Sequence, residues 1–164
     1  MSRKSEPILV AYYSHSGNTC KIATLIHQAV GGTLHEIQPE VPYPKSYNAV
    51  LDRAKQEIKA GYHPPLQPTP DLVTSCDIIF VGTPNWWSTI APPIATFLSE
   101  HDLSGKTIIP FCTHGGGGLG RIDKEIRKLC PHAAFLTSFK IYGSGGQQAE
   151  SEVSAWLHRL GMND

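Results

Sequence analysis

Three stretches of this 164-residue chain concentrate side chains that could hold a ligand. Residues 14–19 read SHSGNT, with hydroxyls at Ser14, Ser16 and Thr19, an imidazole at His15 and an amide at Asn18. Gly17, in the same string, lets the backbone approach a ligand closely. The string lies between the apolar run ILVAYY (8–13) and the amphipathic run CKIATLIHQAV (20–30), so it reads as a strand-to-helix loop. A helix N-terminus presents unpaired N–H groups and a partial positive charge, worth roughly 0.3–1 kcal/mol to an anion. A phosphate fits such a loop without a lysine. Capping by Asn18 or Thr19 would explain one or two of the residues and leave the others unused. The second stretch, TPNWWST (83–89), sets Pro84 and Asn85 before adjacent Trp86 and Trp87. One tryptophan is expected to anchor the core and the other to face a planar ligand, where an offset stack adds about 0.5–1.5 kcal/mol beyond burial. The third, THGGGGLG (113–120), opens with Thr113 and His114. Gly115, Gly116 and Gly117 follow, leaving main-chain N–H groups free to reach the edge of a flat ring.

Other chemistries lack their residues. The Gly-Lys-Ser/Thr of a nucleotide-binding P-loop is missing from the first loop. A G-x-G-x-x-G spacing at Gly115, Gly117 and Gly120 opens the fourth helical pattern instead of the first, and no acid follows at the distance a dinucleotide ribose needs. A phosphoacceptor domain needs acids at the end of the first strand, where this chain has Tyr13-Ser14. Ser14 or Ser16 as a hydrolytic nucleophile would need G-x-S-x-G and an acid–histidine pair. The remaining histidines show no metal-ligand spacing. Cys20, Cys76, Cys112 and Cys130 form no C-x-x-C pair and read as free thiols of a reducing compartment, Cys20 as a packing residue of the first helical turn.

The elements that must position the three loops follow from hydrophobic patterning. Near-continuous apolar runs at 8–13, 78–82 and 107–112, with a less pure one at 134–139, suit parallel strands buried on both faces. The more polar TLHEIQ (33–38) suits an edge. Helical spacing marks five helices, around Ile22–Val30, Tyr47–Ile58, Ile94–Leu98, Ile122–Leu129 and Val153–Leu160. Glycines stop the first, second and fifth, and Pro92-Pro93 opens the third. Strands alternating with helices predict an α/β fold: a doubly wound five-stranded parallel sheet in the order 2-1-3-4-5, with helices on both faces. Pro110, inside the fourth run, is expected near a strand end or at a bulge. The topology brings the three loops together at the switch point between strands 1 and 3.

The chain is expected to form a single domain over residues 1–164. Its net charge is zero and it has no basic run, so nothing favours nucleic acid, and no nucleic-acid partner is expected. No apolar stretch reaches the roughly 18 residues that span a membrane. MSRKSEP leads straight into the first apolar run without a cleavage-site pattern, which points to the cytoplasm.

A phosphate grip, an aromatic shelf and a glycine edge describe a phosphorylated planar cofactor. Flavin mononucleotide (FMN) fits best, because NAD would need room and a partner for a second nucleotide. SHSGNT resembles the [ST]-x-[ST]-G-N-T phosphate loop of the flavodoxin family, and PYPKSYNAV, TPNWWSTIAPP and IPFCTHGGGGLG resemble a bacterial, short-chain-like subgroup of it. The resemblance covers nearly the whole chain. It implies the 2-1-3-4-5 sheet and non-covalent FMN held by residues 14–19, 84–87 and 113–117. Electron-carrier members are typically acidic, with carboxylates and often a tyrosine around the flavin. Here the third loop has neither, so a less negative reduction potential is expected. The implied function is electron transfer or oxidoreduction through FMN, with a redox partner protein. The alternatives are an NAD(P)H-dependent FMN quinone reductase with a quinone-like acceptor, and a non-redox phosphate-ester binding module. A monomer or weak homodimer is expected.

Overall fold

The computed structural model describes residues 7–69 and 71–162. The N-terminal MSRKSE, on which the expectation of no leader rests, lies outside the described residues. Five helices flank one parallel sheet: β1 (Ile8–Tyr12), α1 (Asn18–Val30), β2 (Thr33–Glu36), α2 (Tyr47–Ala60), β3 (Ile78–Pro84), α3 (Pro92–Glu100), β4 (Thr107–His114), α4 (Ile122–Leu129), β5 (Ala134–Phe135), β6 (Phe139–Tyr142) and α5 (Ala149–Arg159). The sheet runs β2-β1-β3-β4-β5, as the patterning predicts, with β6 also paired to β4. Every residue of β1 is buried, and β2 has none that is. This is why the apolar runs take the middle of the sheet and the polar run its edge.

Alternation along the strands builds two cores. Leu9, Ala11, Ile79, Val81 and Ile108 face Val50, Ile94, Phe97 and Ile126 of α2, α3 and α4. Val10, Phe80, Ile109 and Phe111 face Ile22 and Ile26 of α1 and Val153 and Trp156 of α5. Gly82 is required on this second face, because a Cβ there would come within 2.2 Å of the Phe111 ring.

The fifth apolar run does not form one strand. It splits into β5 and β6, both parallel to β4, and the register steps from Ile108↔Phe135 to Phe111↔Phe139. Two residues of β4, Ile109 and Pro110, therefore face three, 136–138, which is a bulge of one residue. Pro110 accounts for its place. The carbonyls of Ile108 and His114 accept bonds from Leu136 N (3.2 Å) and Gly143 N (2.8 Å), so even-numbered residues of β4 turn their backbone polar groups toward the fifth strand. Pro110 belongs to that set, and its missing N–H falls where residues 136–138 leave the ladder. Two side chains hold the bulge: Trp156 Nε1 donates to the Thr137 carbonyl (2.9 Å) and Ser138 Oγ donates to Asp123 (2.6 Å).

Candidate functional site

The loop after β1 is shaped by its own serine. Ser14 Oγ accepts from the N–H groups of Gly17 (3.1 Å) and Cys20 (3.2 Å), while Gly17 occupies the N-cap position of α1 in place of Asn18 or Thr19. Gly17 has φ 99°, a left-handed conformation that glycine adopts without a Cβ penalty. With Cys20 N–H taken, the N–H groups of Asn18 and Thr19 remain without an acceptor among the described residues. The Thr19 hydroxyl is spent inside the protein: it meets the Thr113 hydroxyl at 2.8 Å, where the two residues are 1% and 4% exposed. This bond ties the first loop to the end of β4. His15 Nε2 donates to the Pro44 carbonyl (2.8 Å), fixing the ring beside the proline-rich segment.

The two tryptophans separate sharply. Trp86 is 2% exposed and stands edge-on to Tyr13 (5.5 Å between centroids) and Tyr43 (5.4 Å). Trp87 is 44% exposed, donates from Nε1 to the Leu51 carbonyl (2.8 Å) and lies under Lys55 Nζ at 5.0 Å. The turn between Trp86 and Thr89 is closed by two reciprocal 3.1 Å bonds, with φ 55° at Trp87 and 70° at Ser88. These are the left-handed angles of a tight hairpin turn that normally uses asparagine and glycine. Asn85 holds the turn and joins it to the third loop: its Oδ1 accepts from Ser88 N (2.9 Å) and its Nδ2 donates to the Gly118 carbonyl (2.8 Å).

In the third loop, Gly116 N donates to His114 Nδ1 (3.0 Å), which places the proton of the neutral ring on Nε2. Burial, and then the Lys140 cation, lower the His114 pKa. Cys112, behind the loop, is pushed up to about 12 by burial.

These loops enclose a cleft of about 260 Å³. His15, Ser16, Asn18 and Thr19 line it from the first loop, Pro84, Asn85 and Trp86 from the second, and Thr113, His114 and Gly115 from the third. Five of the expected residues stand outside the lining. Ser14 and Gly17 form the turn behind it, Trp87 is held on α2, and Gly116 and Gly117 continue the loop, Gly117 against the Asn85 amide. The lining contains no Asp or Glu. Among the described residues, no group of three or more His, Cys, Asp or Glu side chains could hold a metal ion.

A family model described as flavodoxin matches residues 7–160. The chain belongs to the flavodoxin family. Solved structures show the same architecture. A Bacteroides eggerthii protein assigned to the flavoproteins is 30% identical over 94% of this chain and 98% of its own, with a TM-score of 0.82. A Lactobacillus acidophilus flavoprotein solved in complex with FMN is 22% identical, over 92% and 98% of the two chains, with a TM-score of 0.73. Oxidised Flavodoxin 2 from Bacillus cereus is 21% identical, over 94% and 97%, with a TM-score of 0.58. No curated protein matches the chain.

This flavodoxin-family cleft has a fourth side that the sequence reasoning missed. Tyr142 and Gly143, from the end of β6, and Tyr47, from the start of α2, also line it. Tyr142 is 69% exposed and stands edge-on to His114, with 6.0 Å between ring centroids. The available signal was YGSGG (142–146), a glycine-rich strand-to-helix loop like THGGGGLG.

Proposed function

We propose that this protein binds FMN non-covalently in the cleft and acts in electron transfer or oxidoreduction through it. The observation that carries the reading is one cleft with two chemically different ends. At one end, the N–H groups of Asn18 and Thr19 lack acceptors among the described residues at the N-terminus of a 13-residue helix, with Ser16 beside them in the lining. At the other, the buried Trp86 and the Cβ-free Gly115 line the cleft. The first end suits a terminal phosphate dianion and the second a flat ring. Bound there, FMN supplies one- and two-electron chemistry that side chains lack.

The chain's own residues do the rest. Asn18 and Thr19 fix the phosphate through their main chain, since the Thr19 hydroxyl is committed to Thr113. Trp86, braced by Tyr13 and Tyr43, keeps water from one wall. His114 offers a neutral Nε2–H donor. The proposed setting is the cytoplasm, with a redox protein as partner and the chain a monomer or weak homodimer.

The test compares FMN with riboflavin, which lacks the phosphate. FMN is expected to be taken up stoichiometrically, with a 450 nm band and quenched ring fluorescence, and riboflavin to bind at least about 100-fold more weakly. Equal binding of the two, or none, would sink the reading, and a protein that takes a colourless phosphate ester while ignoring FMN would be a non-redox module. A quinone reductase using NAD(P)H is the second reading, favoured by the exposed Tyr142 at the rim. Rapid bleaching of the FMN-loaded protein by NADPH would select it, and inertness would select the carrier.

A further inference from the structure

A second cavity, of about 550 Å³, lies against the cleft and shares His114, Tyr142 and Gly143 with it. Lys140 of β6, the loop Gly143–Gly146 and Glu152 of α5 complete its wall. Lys140 makes no ion pair among the described residues. Its ammonium reaches toward the third loop, where a Cβ on Gly118 would lie 3.7 Å from Nζ. Glu152 stands in the first turn of α5, where the helix N-terminus already offsets a carboxylate. The lining thus carries one cation, Lys140, and one carboxylate, Glu152. Ser144 adds a hydroxyl and a main-chain N–H, and Gly146 an N–H, none with an acceptor among the described residues. Lys21 brings a further cation to the rim, its Nζ donating to the Gly146 carbonyl at 3.1 Å.

We propose that this cavity binds the acid group of a small aromatic ligand, a carboxylate or sulfonate on a one- or two-ring system. Lys140 and Ser144 hold the acid, and the ring lies against Tyr142 and His114, alongside the cleft. The volume lies within the roughly 300–1,000 Å³ typical of small-molecule sites. The purpose of the site rests on the reading that the cleft holds FMN; the residues that form it do not.

Calorimetric titration with 2-naphthoate and its neutral isostere 2-naphthamide tests the proposal, with the apoprotein and the FMN-loaded protein side by side. Naphthoate is expected to bind at least tenfold more tightly than the amide in both forms, with an affinity that falls as salt rises. Lys140→Gln should remove the preference, Lys140→Arg should keep it, and naphthoate should shift the His114 ring signals in NMR spectra. Equal affinity for the two probes, a preference that survives Lys140→Gln, or displacement of naphthoate by FMN would overturn the proposal. NADPH binding more tightly than naphthoate, with the same dependence on Lys140, would also overturn it, by making the site one for a dinucleotide. A protein that refuses FMN but keeps the Lys140-dependent preference would refute the cofactor reading and leave this one standing.

Discussion

The hydrogen bond between Thr19 and Thr113 lends itself to a quantitative test, because both hydroxyls are buried and each has the other as its partner at 2.8 Å. Thr19→Val keeps shape and volume but leaves the Thr113 hydroxyl buried with nothing to bond. An orphaned buried donor or acceptor costs about 1–3 kcal/mol, whereas replacing both partners with apolar groups of the same shape is nearly neutral. Each single variant, Thr19→Val or Thr113→Val, should therefore lose about 1–3 kcal/mol. The double variant should lose no more than either one, giving a coupling of at least about 1 kcal/mol. For a chain of this size, 1 kcal/mol corresponds to about 2–4 °C in Tm. Urea unfolding of the apoprotein measures all four corners of the cycle, with m required to stay constant. Independent sites add to within about 0.3–0.5 kcal/mol. Losses that add to that precision would mean that the hydroxyls are not each other's partners, and would refute the account of how the first loop is tied to β4. The cycle also bears on the site. Since the Thr19 hydroxyl is committed, the double variant should take up FMN with an affinity within about tenfold of the parent.

Gly82→Ala drives a methyl group into the Phe111 ring and should cost about 1–3 kcal/mol or more by urea unfolding, while Gly115→Ala, whose added Cβ meets nothing within 4 Å, should cost far less. Ser88→Gly relieves a left-handed serine at φ 70° and should stabilise by about 1 kcal/mol in the same assay. Gly115→Asp adds a carboxylate to a lining that has none; at roughly 10 Å and an effective dielectric constant of 20 this is about 1.7 kcal/mol, or about 70 mV. The FMN-loaded variant should be harder to reduce by about that amount in a redox titration, and an unchanged potential would count against the cleft as the flavin site. The His114 ring should titrate below 6.5 by NMR, and Lys140→Gln should raise its midpoint. Well above pH 6.5 the ring is neutral both folded and unfolded and adds no pH dependence. Below it the unfolded chain binds the proton first, so stability should fall until the pH reaches the folded value.

The sheet order was legible because β1, β3 and β4 are apolar on both faces while β2 is polar, and the doubly wound order 2-1-3-4-5 puts β2 at an edge with β1 and β3 inside. Pro110 signalled a strand end or a bulge, because its missing N–H cannot join an interior ladder. The bulge residues themselves gave no sign, since Leu136, Thr137 and Ser138 fit a strand as well as a break. Three sides of the cleft were legible as polar or glycine-rich strings at strand ends. The fourth was not: Tyr47 and Tyr142 are exposed, so no hydrophobic period marks them, and which tryptophan is buried depends on a turn whose left-handed angles its sequence disfavours.

The extra residue between β5 and β6 reverses the parity of the last strand. Before it, Phe135 packs toward α4 and Leu136 toward α1 and α5; after it, Phe139 and Ile141 pack toward α1 and α5, which turns Lys140 and Tyr142 to the other face. In an unbroken strand Phe139 and Ile141 would share the face of Phe135, and Lys140 and Tyr142 would point into the α1–α5 core. One inserted residue thus works as a reading-frame shift written in three dimensions, placing a cation at the second cavity and an aromatic ring at the rim of both without changing the sequence downstream. Deleting a single residue from 136–138 would leave every side chain at the rim present in the chain and aimed at the wrong half of the molecule.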